Sequence, residues 1–412
     1  MIELAEAREQ LLAACPRLDP IQLASADAID CVLAEDVVSA VAVPPFDNTS
    51  LDGYAVRSAD LAGASEAHPA RVTVLGMVPA GSAAASPVGP GQAWKVMTGA
   101  PLPAGADAVV MVENSSATKA HPCSAAGDSV ELYAAPAPGT GIRLAGSDTA
   151  RGELVFPRGT VLRPAHLGVL ASVGAHTVTV QPRPRVGVLV TGDELVTEAR
   201  ELAPGEIYES NRAMLMALLR KLNCDPVDLG IAPDQVSGLR TRLGRAIAEC
   251  DVIVSSGGVS MGDADPIKAV LEELGRLNWL QLAIRPAKPF AYGLLDGPTM
   301  LLGLPGNPVS ALVSFTLLVA PVLRQLLGYH NVEPEFIPAI AEADFGAQPD
   351  DGRTGYLRAT AHFGPDGRLR VQPLLKQGSH QLSAAARANA LVRVPPGLSP
   401  AAGAEVATLL LH

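Results

Sequence analysis

The chain has 412 residues, 48% hydrophobic and 18% charged, a globular composition with apolar material for two to four domains. A net charge of −11 argues against a nucleic-acid or anionic-membrane surface, while leaving room for one basic cleft. The five cysteines (Cys15, Cys31, Cys123, Cys224 and Cys250) are scattered, with no Cys-x-x-Cys, which predicts reduced thiols in a cytoplasmic protein. The charged start from Glu3 to Glu9 does not read as a signal peptide. The most apolar segment, 311–327, is broken by Ser314, Pro321 and Arg324 and reads as a buried helix, not a membrane span.

Residues 2–14 carry apolar and charged side chains at helical spacing, predicting a helix that stops near Cys15-Pro16. Residues 24–34 fit either a second helix or a segment flanking a strand. Val43 to Arg57 holds two prolines and an Asp/Asn/Thr/Ser cluster, which predicts a loop landing on a strand. It reads either as a linker between domains or as a polar loop holding Asp52 and Arg57 at an interface. Between residues 71 and 134, β-rich runs at 71–75, 92–97, 108–113 and 129–133 alternate with Gly/Pro turns, predicting a small all-β sandwich or barrel. Within it, Met97-Thr98-Gly99-Ala100-Pro101 is a tight turn with one hydroxyl, and His121/Cys123 is an incidental pair. A helix is expected over 164–173, with proline in its first turn.

After Pro182-Arg183-Pro184 the rhythm becomes strand, helix, strand. Strands are expected at 186–190, 227–231, Val252-Ile253-Val254, 279–284, 290–295 and 300–302. Helices are expected at 211–222, from Asp234 to about 249, after Asp265-Pro266, and at 309–327. Such alternation predicts a parallel sheet with helices on both faces. Beyond residue 331 short strands return, at 355–363, 369–373, 390–394 and 405–411, predicting a second β module. Arg358 and Ser379 lie within it and by themselves carry no specific signal.

The acidic and glycine residues gather where the parallel strands end: Asp193, Glu194, Asp234, Gly257, Gly258, Asp263, Asp265, Gly303 and Gly306. In open α/β sheets ligands bind at that edge. The turn after Val254, Ser255-Ser256-Gly257-Gly258, lets backbone N–H groups approach an anion closely. Helix capping accounts for Asp234 and Asp265 without further roles, but not for Glu194 or Asp263. Hard carboxylate ligands suit Mg²⁺ beside a phosphate better than zinc. Arg285-Pro286-Ala287-Lys288 adds two cations three residues apart on a proline-stiffened segment, either a surface charge pair or part of an oxyanion site.

Five motifs in order carry a resemblance: Phe46-Asp47-Asn48 through Leu51-Asp52-Gly53-Tyr54-Ala55-Val56-Arg57; Met97-Thr98-Gly99-Ala100-Pro101-Leu102-Pro103; Thr191-Gly192-Asp193-Glu194-Leu195; Ser255 to Asp265; and Gly303-Leu304-Pro305-Gly306-Asn307-Pro308-Val309-Ser310. Together they resemble the molybdopterin molybdenumtransferase family, which includes MoeA and the gephyrin E domain. The Gly-Gly motif and sheet alone would also fit the related molybdopterin adenylyltransferases; the first two motifs would not. Two departures stand out. The family often has Lys-Pro-Gly-Lys-Pro-Phe where this chain has Arg285 and Ala287, and a tyrosine where it has Pro266. Arginine keeps the charge and adds a bidentate fork.

The resemblance implies a multidomain α/β plus β protein, with a MogA-like molybdopterin-binding domain inserted among smaller mixed and all-β domains. The implied segments are 1–45 with 143–181, a dimer-forming unit; 46–142, a small β domain; 182–328, the α/β domain; and 329–412, a C-terminal β domain. It implies a homodimer whose cleft lies between the sheet domain of one subunit and the C-terminal domain of its partner. The implied reaction inserts molybdate into adenylylated molybdopterin, releasing AMP to form molybdenum cofactor. Catalytic roles fall on Asp52, Thr98, Glu194, Asp265 and Lys288. Substrate binding falls on Asp148, Ser256, Gly257, Gly258, Asp263, Arg285, Pro305, Gly306, Asn307, Pro308, Arg358 and Ser379. Mg²⁺ falls to Glu194, Asp234, Asp263 and Asp265. The adenylyltransferase is a candidate partner; nucleic acid and membrane are not.

Overall fold

The computed structural model describes residues 1–232, 236–257, 270 and 273–411. Helix α1 (Leu4–Ala14) buries Ala7 and Leu11 in the core of the α/β module. The 24–34 segment is mainly a connection: Ile21–Ala24 pairs antiparallel with Thr177–Val180, and a single 3-10 turn, Ser25–Asp27, follows. Helix α2 (Pro164–Ser172) packs there through Leu170, beside Ala28, Cys31, Leu33 and Leu162.

The small β module is one five-stranded sheet, not a sandwich or barrel. Its strands are β1 (Gly53–Val56), β2 (Ala70–Val78), β3 (Gln92–Val96), β4 (Ala108–Met111) and β5 (Ser129–Leu132), in the order β4-β1-β3-β2-β5. Side chains alternate between its faces. Tyr54 and Val56 enter one hydrophobic cluster while Ala55 enters another, so both faces are covered without a second sheet.

The α/β module contains β6 (Arg185–Thr191), α3 (Asn211–Lys221), β7 (Asp225–Ala232), α4 (Val236–Glu249), β8 (Val252–Ser256), β9 (Gly275–Gln281), β10 (Pro289–Leu295), β11 (Met300–Leu304) and α5 (Pro308–Leu326). Its sheet runs β7-β6-β8-β11-β10-β9. The first four strands are parallel, whereas β10 and β9 are antiparallel. The parallel expectation therefore holds for the four strands β7, β6, β8 and β11, which include those that carry the glycine turns, and not for the pairings of β10. The chain between β9 and β10 is too short for a parallel crossover, which needs a dozen or more residues. Successive strand residues face opposite layers. Val188, Val254 and Leu302 pack with α1, α3 and α5, and Leu189, Ile253 and Leu301 pack with Leu243 and Ala246 of α4.

Helix α5 is apolar on every side, with a π-helical turn at Phe315–Val319 just before Pro321. It is long and apolar enough to cross a membrane, yet 78% of its most apolar window is buried inside the protein. Burial of each large side chain here contributes about 1.5–3 kcal/mol, which accounts for its place in the core.

The C-terminal module closes into a five-stranded barrel from β12 (Ile337–Ala341), β13 (Thr354–Phe363), β14 (Leu369–Pro373), β15 (Ala390–Val394) and β16 (Glu405–Leu410), because β15 pairs both β16 and β13. The run expected at 279–284 divides between two sheets. Its first part is β9, and Ile284–Arg285 pairs in parallel with Thr354–Gly355 of the barrel. That pairing ties the barrel to the α/β module of the same chain.

Candidate functional site

The strand order reverses between β6 and β8. The connection after β6 leads to β7 on one side, and the connection after β7 returns to β8 on the other. The C-terminal ends of β6 and β8 therefore flank a crevice at the switch point, where parallel α/β sheets bind ligands. Gly257 ends β8 at φ +91, and a Cβ there would lie 2.6 Å from Thr191 Oγ1 and 2.7 Å from Thr191 O. Glycine is required for the two strand ends to approach this closely. Gly257 N–H donates to Leu304 O at 3.1 Å, joining the end of β8 to the end of β11. Among the described residues a Cβ on Gly306 would meet only Gly257 Cα, at 3.8 Å, so the two glycines lie side by side.

Ser256 is fully buried and its hydroxyl donates to Pro305 O at 3.3 Å. Pro305 is buried, Gly306 and Asn307 are exposed, and Pro308 opens α5. Glu194 is exposed just after β6, and its carboxylate lies against Gly192, where a Cβ would sit 2.7 Å from Oε2. Asp234, Gly258, Asp263 and Asp265 lie outside the described residues. Among the described residues no three His, Cys, Asp or Glu side chains cluster so as to hold a metal ion. Glu194 is thus the one predicted metal ligand placed at this edge, an oxygen donor of the type Mg²⁺ prefers.

A second polar cluster sits where the barrel meets α5. Arg358 on β13 is 1% exposed. Its Nη2 donates to Lys376 O at 2.7 Å and Gly378 O at 3.2 Å, while Nε and Nη1 have no hydrogen-bond partner among the described residues. Burial lowers its pKa from the ordinary arginine value. Gln377 fixes the same strand, its Oε1 accepting from Arg358 N at 3.0 Å and its Nε2 donating to Arg358 O at 2.8 Å. One residue beyond Gly378, Ser379 O accepts from Val309 N at 3.0 Å, pinning the first turn of α5 against this loop. A buried cation with unpaired N–H groups, beside the positive end of a helix, suits an oxyanion.

Arg285 stands at the same seam but is engaged. Its guanidinium pairs with Asp351, whose Oδ2 also accepts from Arg353 Nε at 2.9 Å. The Arg353 guanidinium, ahead of Arg285, holds the Asp351 carboxyl below the usual range. Lys288 is exposed, and between the two cations Ala287 adopts φ +87.

Asp52 and Thr98 form a third group, in the small β module. Asp52 Oδ1 accepts from Thr98 N at 2.6 Å and from Thr98 Oγ1 at 2.7 Å, which holds the Asp52 carboxyl below its ordinary value. The bonding joins the 43–57 segment to the Thr98 turn and is compatible with either reading of that segment, a linker or a polar loop holding Asp52 and Arg57. Asp148 is exposed, with its N–H on Val43 O at 3.0 Å.

Sequence reasoning missed Asn211, Asp351, Arg353 and Gln377. Asn211 was visible only as the start of a helix. Asp351 and Arg353 flank a turn glycine ahead of a strand, a pattern that any turn provides. The resemblance sets the cleft against a partner's C-terminal module; here the chain's own barrel is fastened to its α/β module through Ile284–Arg285 and Val309.

Residues 2–174 match the family described as "MoeA N-terminal region (domain I and II)", residues 187–325 "Probable molybdopterin binding domain", and residues 339–411 "MoeA C-terminal region (domain IV)". The chain is 36% identical over 394 residues to the molybdopterin molybdenumtransferase of Haemophilus influenzae, spanning 95% of this chain and 94% of that one. It is 34% identical over 418 residues to molybdopterin molybdenumtransferase 1 of Mycobacterium tuberculosis, spanning 96% and 95%. Two solved structures of the molybdopterin biosynthesis MoeA protein from Pyrococcus horikoshii superpose with TM-scores of 0.83 and 0.79, each at 32% identity, covering 100% of this chain and 99% and 100% of theirs.

Proposed function

We infer that this chain, which belongs to the molybdopterin molybdenumtransferase (MoeA) family, inserts molybdate into adenylylated molybdopterin with release of AMP. It is a transferase of molybdenum cofactor biosynthesis, and its organic substrate is a molybdopterin. The single observation that carries the oxyanion half is Arg358, buried with two unpaired guanidinium nitrogens beside the start of α5. Molybdate, a small dianion, would take those N–H groups, with Lys288 and Ser379 at the edge of the same seam. Arg285 enters with part of its charge already neutralised by Asp351.

The glycine turns after β8 and β11 would take the phosphates of the adenylylated pterin through backbone N–H groups. Ser256, Gly257, Gly258 and the Pro305-Gly306-Asn307-Pro308 turn are the residues for that role, with Asp263. Glu194, Asp234, Asp263 and Asp265 would hold Mg²⁺, which when bound offsets charge on the phosphoanhydride as it is cleaved. Thr98 orients the Asp52 carboxylate, which would present a fixed anionic group to the substrate or its cation, with Asp148 a further carboxylate for that role. We place the protein in the cytoplasm as a homodimer, with the adenylyltransferase that makes its substrate as a candidate partner. All five thiols are free, and burial raises Cys15 to about 11 and Cys224 to about 12, a state suited to a reducing compartment.

The test is AMP release from adenylylated molybdopterin by the purified protein with Mg²⁺, with and without molybdate. Molybdate-dependent release with formation of active cofactor is the expected result. Transfer of AMP from ATP onto the pterin would instead make it an adenylyltransferase, and binding without release would make it a scaffold. Light scattering at micromolar concentration tests the dimer.

A further inference from the structure

Asn211 is the first residue of α3 and only 6% exposed. Its Nδ2 donates to Ser256 Oγ at 2.8 Å and to Gly306 O at 2.7 Å. Ser256 is the last residue of β8, and Gly306 lies in the turn after β11. The amide orientation is fixed by Gly306 O, because the flipped side chain would set its oxygen against that carbonyl. Among the described residues Asn211 Oδ1 has no hydrogen-bond partner, so its hydrogen bonding runs through Nδ2.

The parallel ladder sets the strand ends up to Ser256 and Leu304, and Gly257 N–H to Leu304 O is the last backbone bond joining the two turns among those described. Beyond it the chain turns at Gly257 and Gly306, residues whose backbones are the least restricted of any type. A turn that cradles an anion must hold its N–H groups at fixed spacing, and glycine alone cannot hold them.

We propose that Asn211 is a positioning residue for the substrate's phosphates, its amide clamping the β8 and β11 glycine turns at the separation needed to bind them. This rests on the reading that those turns take the phosphates of adenylylated molybdopterin. Asn211 acts through Ser256 and Gly306, so its removal weakens pterin binding, whereas the Arg358 seam keeps its own tie to α5 through Val309 N–H and Ser379 O.

The experiment measures equilibrium binding of adenylylated molybdopterin and of molybdate to the full-length wild type and to Asn211→Ala, Asn211→Asp and Ser256→Ala, with melting temperature alongside. Asn211→Asp keeps the shape and loses both donors. Ser256→Ala removes one arm and keeps the bond to Gly306. The expected result is that pterin affinity falls about tenfold in both Asn211 variants and about threefold in Ser256→Ala, in line with loss of two hydrogen bonds or one. Molybdate affinity stays within about twofold of wild type in all three. Unchanged pterin affinity overturns the proposal, and so does an equal loss of both ligands with a lowered melting temperature, which marks a folding role only. If Asn211→Ala does not fold, the other two variants decide. A wild type that binds the pterin but releases no AMP sinks the transferase reading alone, and the ratio of affinities still decides the role of Asn211.

Discussion

Arg358 and Arg285 stand on either side of one strand pairing, and the protein treats them oppositely. Arg358 is buried, and two of its nitrogens have no partner among the described residues. Arg285 is about a third exposed and given a carboxylate, which it shares with Arg353. Leaving a buried cation half-satisfied is costly, whereas an exposed ion pair contributes about 0–1 kcal/mol. A fold bears that cost most readily where a ligand later makes the missing bonds. The difference separates a binding group from one that sets the field at the entrance.

The largest effect is expected at Arg358. Arg358→Met removes the charge and keeps the volume, and molybdate-dependent AMP release should fall at least about 100-fold, the loss of two charge-assisted bonds. The melting temperature should stay within about 5 °C. Relief of a desolvated charge opposes the loss of the bonds to Lys376 and Gly378, and the two terms are of similar size. Collapse of stability alongside activity would make Arg358 structural and erase the contrast.

Lys288→Ala is expected to cost about tenfold, chiefly as a higher KM for molybdate that diminishes as salt is raised, since an exposed cation acts by long-range attraction. Arg285→Ala should cost only about threefold, and Asp351→Asn should lower the molybdate KM slightly by releasing the charge of Arg285. If Arg285→Ala matched Arg358→Met, the assignment of roles would be reversed.

The smallest effect is at Thr98. Thr98→Val removes the hydroxyl bond to Asp52 and keeps the backbone one, so the Asp52 pKa should rise part of the way back to its ordinary value in a carbon-detected NMR titration. Because the folded pKa of Asp52 is depressed, its contribution is full above the ordinary carboxylate range and is lost as pH falls through the lowered value. In Thr98→Val the contribution is smaller and its loss is complete at a higher pH. An unchanged titration would mean that the Thr98 hydroxyl does not hold this carboxylate.

Much of the fold was legible because periodicity reports local structure directly. The runs at 369–373 and 390–394 form strands with those bounds, and the helices begin at Pro164 and Asn211 as their start signals indicate. Pairing direction and closure were not legible. Nothing in residues 279–295 distinguishes an antiparallel hairpin from a parallel crossover except the shortness of the connection, and barrel closure depends on β15 reaching β13 across the sequence. In the site, glycine turns and Glu194 could be read from spacing. Arg358 and Ser379 could not, because their significance arises only when the barrel meets α5. The family's glycine at position 287 also acquires a reason: Ala287 here sits at φ +87, where glycine is unstrained.

The most direct measurement is calorimetric titration of molybdate into the wild type and into Arg358→Met, both shown to be folded by their melting curves. The expected result is one molybdate bound per chain by the wild type, displaced by tungstate, and no measurable binding by the variant. Equal affinity in the two proteins would contradict the central claim and move the oxyanion away from the seam between barrel and α5.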